Sequence, residues 1–451
     1  MAGPPSSVKE PFPLFNVDAD PSSPQRNSNG AAASGAQTNG SAVRRRKQSG
    51  EAETNGSVDA SPKLSKRRKE RSLVGRAKQY AYRHTFVLPL VLALLIFAGY
   101  AVYPTDSNPL THFIFLSYRL PIPADAAPGT PAQYGKGWWD VTFVAFYTIV
   151  LSFTREFIMQ ELLRPLARYF GLRSRSKQAR FMEQMYTAVY FGILGPAGVF
   201  VMSRTPVWFF NTRGMYENSP HHTHEAYFKF YYLLEAAYWA QQAIVLVLGM
   251  EKRRKDFREL VGHHIVSLAL IALSYRFHFT YIGLAVYITH DISDFFLACS
   301  KSLNYVDGPF MGPFYGLFMC VWIYCRHYLN LRIIYSLFTE FKTIGPYQLD
   351  WSTEQFKCPL AFFITTSLLS SLQALNLFWL FFIIRIAYRF VVHNVAKDDR
   401  SDGEEDTDLE VDDSAKDAPA PVNEKVPVSA QGPIGSAVAV NGKPKRNGVV
   451  Q

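Results

Sequence analysis

The stretch from His263 to Tyr305 reads HHIVSLALIALSYRFHFTYIGLAVYITHDISDFFLACSKSLNY, and the fold follows from it. It is mostly apolar and long enough for two membrane passes with a few residues between them, because about 20 helical residues cross a bilayer core. Within it stand two adjacent histidines, His263 and His264, and further on His290, Asp291 and Asp294. A charged side chain at bilayer depth costs about 2.5 kcal/mol or more, so intramembrane ionisable residues mark functional sites by default. Asp291 and Asp294, three residues apart, share one face of a helix.

Outward from this stretch the chain of 451 residues divides into two kinds of sequence. Residues 1–80 and 397–451 are polar, charged and rich in Pro, Ser, Gly and Asn, a composition that cannot bury enough apolar surface to offset ordering entropy. They read as a disordered basic N-terminal tail and a disordered acidic C-terminal tail. Between them lie long apolar runs, and the reading is an all-α polytopic membrane protein of about eight transmembrane helices. The spans are Phe86–Val102, Val141–Leu163, Phe181–Met202, Tyr227–Met250, Leu260–Arg276, Thr280–Ser300, Met311–Leu337 and Leu360–Val392. Residues 86–103 form a first membrane helix, 138–177 a second helix with its basic loop, and 178–392 a six-helix bundle around an intramembrane cavity. Gly192, Gly195 and Pro196 inside the third span require only packing or a kink.

The formal net charge of +10 is not a nucleic-acid signature, because the basic residues cluster beside apolar runs: Arg44–Lys47, Lys66–Arg71, Arg173–Arg180 and Lys252–Arg258. Short loops after the second and fourth spans hold most of the Lys and Arg, so the positive-inside rule places those loops and both tails in the cytosol. His263 and His264 then enter the membrane from the cytosolic side, and Asp291 and Asp294 return at similar depth. No apolar signal segment precedes residue 80, so the first span is expected to act as an internal anchor. The sequons Asn39-Gly40-Ser41 and Asn55-Gly56-Ser57 are expected to stay unused in a cytosolic tail. Ser49, with Arg44 and Arg46 at −5 and −3, is a candidate phosphorylation site, as are Ser401 and Thr407 with acids at +3. Cys299, Cys320, Cys325 and Cys358 show no paired spacing and read as packing residues.

Histidine serves as nucleophile, general base or ligand, and a carboxylate on its second nitrogen fixes the tautomer and stabilises the cation. Adjacent histidines on a helix diverge by about 100°, so one of the pair faces the acids and the other serves a neighbouring role. Three readings stand beside one another: an acid–base or nucleophilic site, a two-His, two-Asp metal site, and a structural set in which the histidines satisfy the buried carboxylates. His221, His222 and His224 lie together, but one loop supplies all three, so they read as surface histidines. Arg326 and Asn330, one turn apart in the seventh span, either bind a phosphate or neutralise an acid. An ion pair of Arg326 with Asp291 or Asp294 is the favoured expectation.

The run Arg253-Arg254-Lys255-Asp256, then His263-His264-Ile265-Val266, then His290-Asp291-Ile292-Ser293-Asp294, then Lys301-Ser302-Leu303-Asn304-Tyr305 resembles the signature motif of ceramide synthases. The wider region Gln178–Val392 resembles a TLC domain, and Trp239 before a Gln pair within Tyr231–Gln242 fits the same family. The tails resemble those of fungal members.

This resemblance implies N-acylation of a sphingoid base by a fatty acyl-CoA in the endoplasmic reticulum membrane. It implies catalytic roles for His263, His264, Asp291 and Asp294, and substrate contacts for His290, Trp239, Arg326, Asn330, Lys301 and Tyr305. Lys252, Arg253, Arg254 and Lys255 are expected to attract the phosphates of coenzyme A. Acyl transfer from a thioester to an amine needs no metal or redox cofactor, and acyl-CoA enters as co-substrate. Implied partners are the sphingoid base, membrane lipids, a paralogue or second copy in a dimer, and a small single-span accessory subunit. The segment Phe338–Pro359 is expected to bear on acyl length. The alternative is a non-catalytic TLC-domain protein of lipid handling or transport, against which the retained His pair and both acids weigh.

Overall fold

Long apolar runs leave the backbone no partner in lipid but itself, so they become helices. The computed structural model describes residues 84–393 apart from Ala126, Lys252, Arg253 and Asp307. The expectations for both tails, including the two sequons and Ser49, Ser401 and Thr407, lie outside the described residues, as do Lys252 and Arg253. Eight long helical elements follow in order. They are α1 (Val87–Val102), α2 (Trp139–Phe157), α3 (Arg175–Ser203), α4 (Ala226–Val247), α5 (Phe257–Arg276), α6 (Thr280–Tyr305), α7 (Met311–Trp322) and α8 (Pro359–His393). A π-helical turn, Ile158–Leu163, carries α2 into Arg164–Tyr169, and another, Ile323–Leu329, carries α7 into the helix Asn330–Thr339.

Five stretches are long and apolar enough to cross a membrane: Trp139–Tyr169, Arg175–Ser203, Phe257–Arg276, Thr280–Tyr305 and Pro359–His393. Helix α1 is apolar but has 16 residues, about 24 Å of rise, short of a full crossing without thinning or tilt of its surroundings. Helix α4 is long enough, but Lys229, Glu235, Gln241 and Gln242 interrupt its apolar run. Large apolar side chains such as Leu95, Ile193, Phe363 and Phe381 point outward, as a lipid-facing surface requires.

The helices run alternately up and down. Loops 103–138, 204–225, 277–279 and 340–358 therefore gather at one end, and 170–174, 248–256 and 306–310 at the other. At the first end a two-residue ladder pairs Gln133 with Glu225 and Tyr134 with His224, which fixes the start of α4 against the segment before α2. Buried Lys229 reinforces this joint: its Nζ pairs with Asp140 at 2.7 Å and donates to the carbonyls of Ser117 and Gly135 at 2.9 and 2.7 Å. Tyr275 of α5 donates to the same Asp140 at 2.8 Å.

Helix α6 is the axis of the bundle. Leu284, Ala285, Ile288, Asp291 and Ser293 are fully buried on it, and its long contact is with α3. That contact is close because Gly198 lacks a side chain: a Cβ there would lie 2.4 Å from the Tyr231 hydroxyl and 3.1 Å from Ile288. The main core joins α3, α4 and α6 with Ile333 and Leu337 beyond α7 and Leu369 of α8.

Candidate active site

A cavity of about 1170 Å³, its open mouth included, runs between α4, α5, α6 and α8. Leu270, Ile271, Ile364 and Leu368 make its walls apolar. At one end stand Trp239, Ser267 and His290, and at the other Leu349, Trp351 and Phe356 of the loop before α8. A greasy tunnel with an imidazole at one end and mostly apolar walls suits a molecule with a long alkyl chain and one reacting head.

The polar end is built by five helical elements. His263 on α5 is buried between two indoles, its ring 5.7 Å from Trp239 and 5.2 Å from Trp379 between centroids. His264, on the neighbouring face, lies 6.1 Å from Trp239, and its Nδ1–H donates to the Leu260 carbonyl at 2.9 Å. That bond leaves the Nε2 lone pair of His264 available. His290 is fixed in the same sense, its Nδ1–H donating to the Val286 carbonyl at 2.8 Å. His290 Nε2, His263 Nδ1 and Asp291 Oδ1 are buried with no hydrogen-bond partner among the described residues. Such an orphan costs about 1–3 kcal/mol, so His290 at the head of the cavity, with His263 and Asp291 next to it but not lining it, marks a place where a polar ligand group completes the bonding.

The two acids diverge. Asp291 Oδ2 accepts a 2.8 Å bond from the Tyr231 hydroxyl of α4. Asp294 Oδ1 accepts a 2.5 Å bond from Arg326 in the π-turn after α7. Arg326 has further partners: Nε donates to Ser293 at 2.7 Å, Nη1 to Asn376 at 3.0 Å, and the guanidinium lies 4.3 Å from the Trp322 ring centroid. The ion pair favoured for Arg326 is present, with Asp294 as its partner. No hydrogen bond joins either acid to His263 or His264 among the described residues, so any effect of the carboxylates on these rings acts through space.

A TLC-domain family model matches residues 180–385. A sphingosine N-acyltransferase-like protein of Gibberella moniliformis is 52% identical over 341 residues, which is 74% of this chain and 88% of that protein. Sphingosine N-acyltransferase lac1 of Schizosaccharomyces pombe is 48% identical over 78% of this chain and 90% of its own length. Ceramide synthase LAG1 of Saccharomyces cerevisiae is 44% identical over 75% and 80%. The chain belongs to the ceramide synthase family. The relatives' names are those of N-acyltransferases, which favours the enzymatic reading over a non-catalytic lipid-handling one.

Within this ceramide synthase fold the remaining expected site residues fall in three places. Asn330 is fully buried and donates to Gln373 at 2.8 Å, and Gln373 in turn contacts His327 at 2.7 Å, so Asn330 belongs to the polar layer behind the site. Lys301 lines a smaller cavity at the far end of α6, and half-buried Tyr305 packs on Ala167, Leu172 and Phe181. Neither borders the main cavity. Arg254 binds Asp256 with two 2.8 Å bonds, and Asp256 also accepts from the Trp379 indole at 3.2 Å. This part of the motif couples the start of α5 to α8. Lys255 is exposed at the same end.

Glu235 escaped the sequence reading. It is fully buried on α4, accepts from Tyr190 at 3.2 Å and leaves Oε2 without a partner among the described residues. A carboxylate inside an apolar helix was the signal that could have found it.

The surface reading of the histidine tract needs correction. His221 and His224 are buried, His224 bonded to Thr280 at 2.8 Å, and other loops reach the third member. Glu354 Oε2 lies 3.4 Å from His222 Nδ1 and 3.2 Å from His278 Nε2. Burial, then Lys136 and His222, pushes the His278 pKa down to about 4, so this ring is neutral at pH 7.

Proposed function

We propose that this chain is a ceramide synthase, transferring a fatty acyl group from acyl-CoA to the amine of a sphingoid base. The observation that carries the reading is the alkyl-lined cavity headed by Trp239 and His290, beside which His290 Nε2, His263 Nδ1 and Asp291 Oδ1 are buried without hydrogen-bond partners among the described residues. The acyl chain lies along Leu270, Ile271, Ile364 and Leu368, and the thioester carbonyl stops at His263. An imidazole nitrogen of His263 attacks that carbonyl, the C–S bond breaks, and coenzyme A leaves as a thiolate. The amine of the base then attacks the acyl-imidazole, the amide C–N bond forms and the imidazole is released. His264 Nε2 takes the proton lost by the amine, and it passes to the departing thiolate. Asp291 and Asp294 supply negative potential while the imidazole carries positive charge. The reaction requires no metal or redox cofactor. Lys255 at the basic end attracts the phosphates of coenzyme A.

The same reading places the protein in the endoplasmic reticulum membrane with both termini and the basic loops cytosolic. Dimerisation, a small single-span accessory subunit and phosphorylation of Ser49, Ser401 and Thr407 belong to this proposal as further expectations.

Brief incubation of purified protein with a long-chain acyl-CoA and no base tests the covalent step by intact-mass spectrometry. Wild type should gain the mass of the acyl group and His263→Ala should not. Amide formation with no such gain would replace the acyl-imidazole by direct transfer with histidine as general base. Folded protein that makes no amide from any acyl-CoA and base would defeat the enzymatic reading.

A further inference from the structure

Outside the reacting end of the cavity, the opposite end of the bundle holds a cluster that acyl transfer does not use. His222 comes from the loop between α3 and α4, His278 from the turn between α5 and α6, and Glu354 from the loop before α8. Their ligand atoms all lie within 4.8 Å of one another. Nitrogen and oxygen ligands held at about 2.0–2.2 Å in a tetrahedron are roughly 3.3–3.6 Å apart. The 3.2 Å and 3.4 Å separations of Glu354 Oε2 from the two histidines match that spacing.

We propose that His222, His278 and Glu354 bind one divalent transition-metal ion, zinc by its ligand set, which ties together the three loops that close the far end of the acyl cavity. Two imidazoles and one carboxylate suit zinc better than magnesium or calcium, which take mostly oxygen ligands. The ion is structural and takes no part in acyl transfer. Half-exposed His222 and Glu354 leave its remaining coordination positions to solvent.

Backbone strain is the independent observation. His278 has φ 64° and Glu354 has φ 49°, so two of the three ligands sit in the left-handed region that side chains disfavour. Such conformations cost of order 1–3 kcal/mol each and persist where the surroundings hold them for a purpose. Here the purpose is closure: Phe356, two residues from Glu354, stacks on the His278 ring at 16° and lines the cavity beside Leu349 and Trp351. Pulling Glu354 onto the two histidines therefore seats the cavity's end wall. Coordination through Nε2 leaves the proton of His278 on Nδ1, so Lys136, 3.1 Å away, faces it as a neutral amine that accepts this hydrogen bond. Arg276, 3.9 Å from Glu354 Oε1, repels the ion and sets its affinity below that of the same ligands without it.

The test uses full-length protein purified in detergent without chelator. Elemental analysis should find close to one zinc per chain. After stripping with EDTA, added zinc chloride should raise the melting temperature and slow amide exchange across residues 345–357. His222→Ala and Glu354→Gln should each weaken zinc binding at least about tenfold. His222 is half-exposed, so its replacement spares the core even if His278→Ala fails to fold. Protein that carries no zinc and ignores zinc chloride overturns the proposal. So do variants whose melting temperatures fall equally with and without zinc, which would make the cluster an ion-pair latch. Retained acyl transfer by metal-free protein would separate this site from the reaction.

Discussion

The hydroxyl of Tyr231 on α4 donates to Asp291 Oδ2 on α6 at 2.8 Å, and it is the only hydrogen bond that Asp291's side chain makes among the described residues. The position next to it on α3 is Gly198, so three helices meet at one hydroxyl. Tyr231→Phe leaves a buried carboxylate with neither oxygen bonded. A hydrogen bond to a charged group is worth about 1.5–3 kcal/mol, so kcat/KM for amide formation should fall roughly 10- to 100-fold. Unchanged activity in the folded variant would remove Asp291 from the reaction.

Gly198→Ala reaches the same hydroxyl without touching Tyr231 itself, because the new Cβ would sit 2.4 Å from it. Activity should drop as in Tyr231→Phe. The control is Gly195→Ala on the same helix, where a Cβ meets nothing within 4 Å, and it should be active and slightly more stable from helix propensity. Equal activity in both alanine variants would mean that the α3–α6 approach is not what places the tyrosine.

Arg326 holds Ser293, Asp294 and Asn376 at once, so its removal strands a buried acid and two polar groups. Arg326→Met should destabilise the protein by about 3–5 kcal/mol, read as a lowered melting temperature in detergent. Arg326→Lys should rescue only part, because an ammonium cannot reproduce the guanidinium fork. Full rescue by lysine would reduce the site to a simple charge balance.

Ala361 lines the cavity near the end closed by Leu349 and Trp351, in the first turn of α8. Ala361→Trp should shorten the accessible tunnel and shift products to shorter acyl chains. Loss of the terminal carbons from an apolar pocket is worth roughly 10-fold or more in discrimination between long and short substrates. An unchanged chain-length profile would place the acyl tail elsewhere.

The sequence by itself determined that the chain is helical and membrane-embedded, because hydrocarbon permits a long apolar run no other backbone solution. It also marked His263, His264, Asp291 and Asp294, since ionisable residues in such runs are too costly to be incidental. The pairing of Arg326 with an acid was legible for the same reason: a buried cation needs an anion. Which acid it chose was not legible, because Asp291 and Asp294 share a helix face and only the packing of α4 and α7 against that face separates them. Tyr231, Gln373 and Asn376 carry no local signal, as their chemistry is ordinary until a neighbouring helix supplies the partner. The cluster of His222, His278 and Glu354 is the clearest case. Its members come from three loops, 56 and 76 residues apart in successive steps, and no spacing rule reaches across them. Periodicity and desolvation are local properties that a chain displays along its length, whereas the meeting of loops depends on how whole helices pack, and that was settled only in three dimensions.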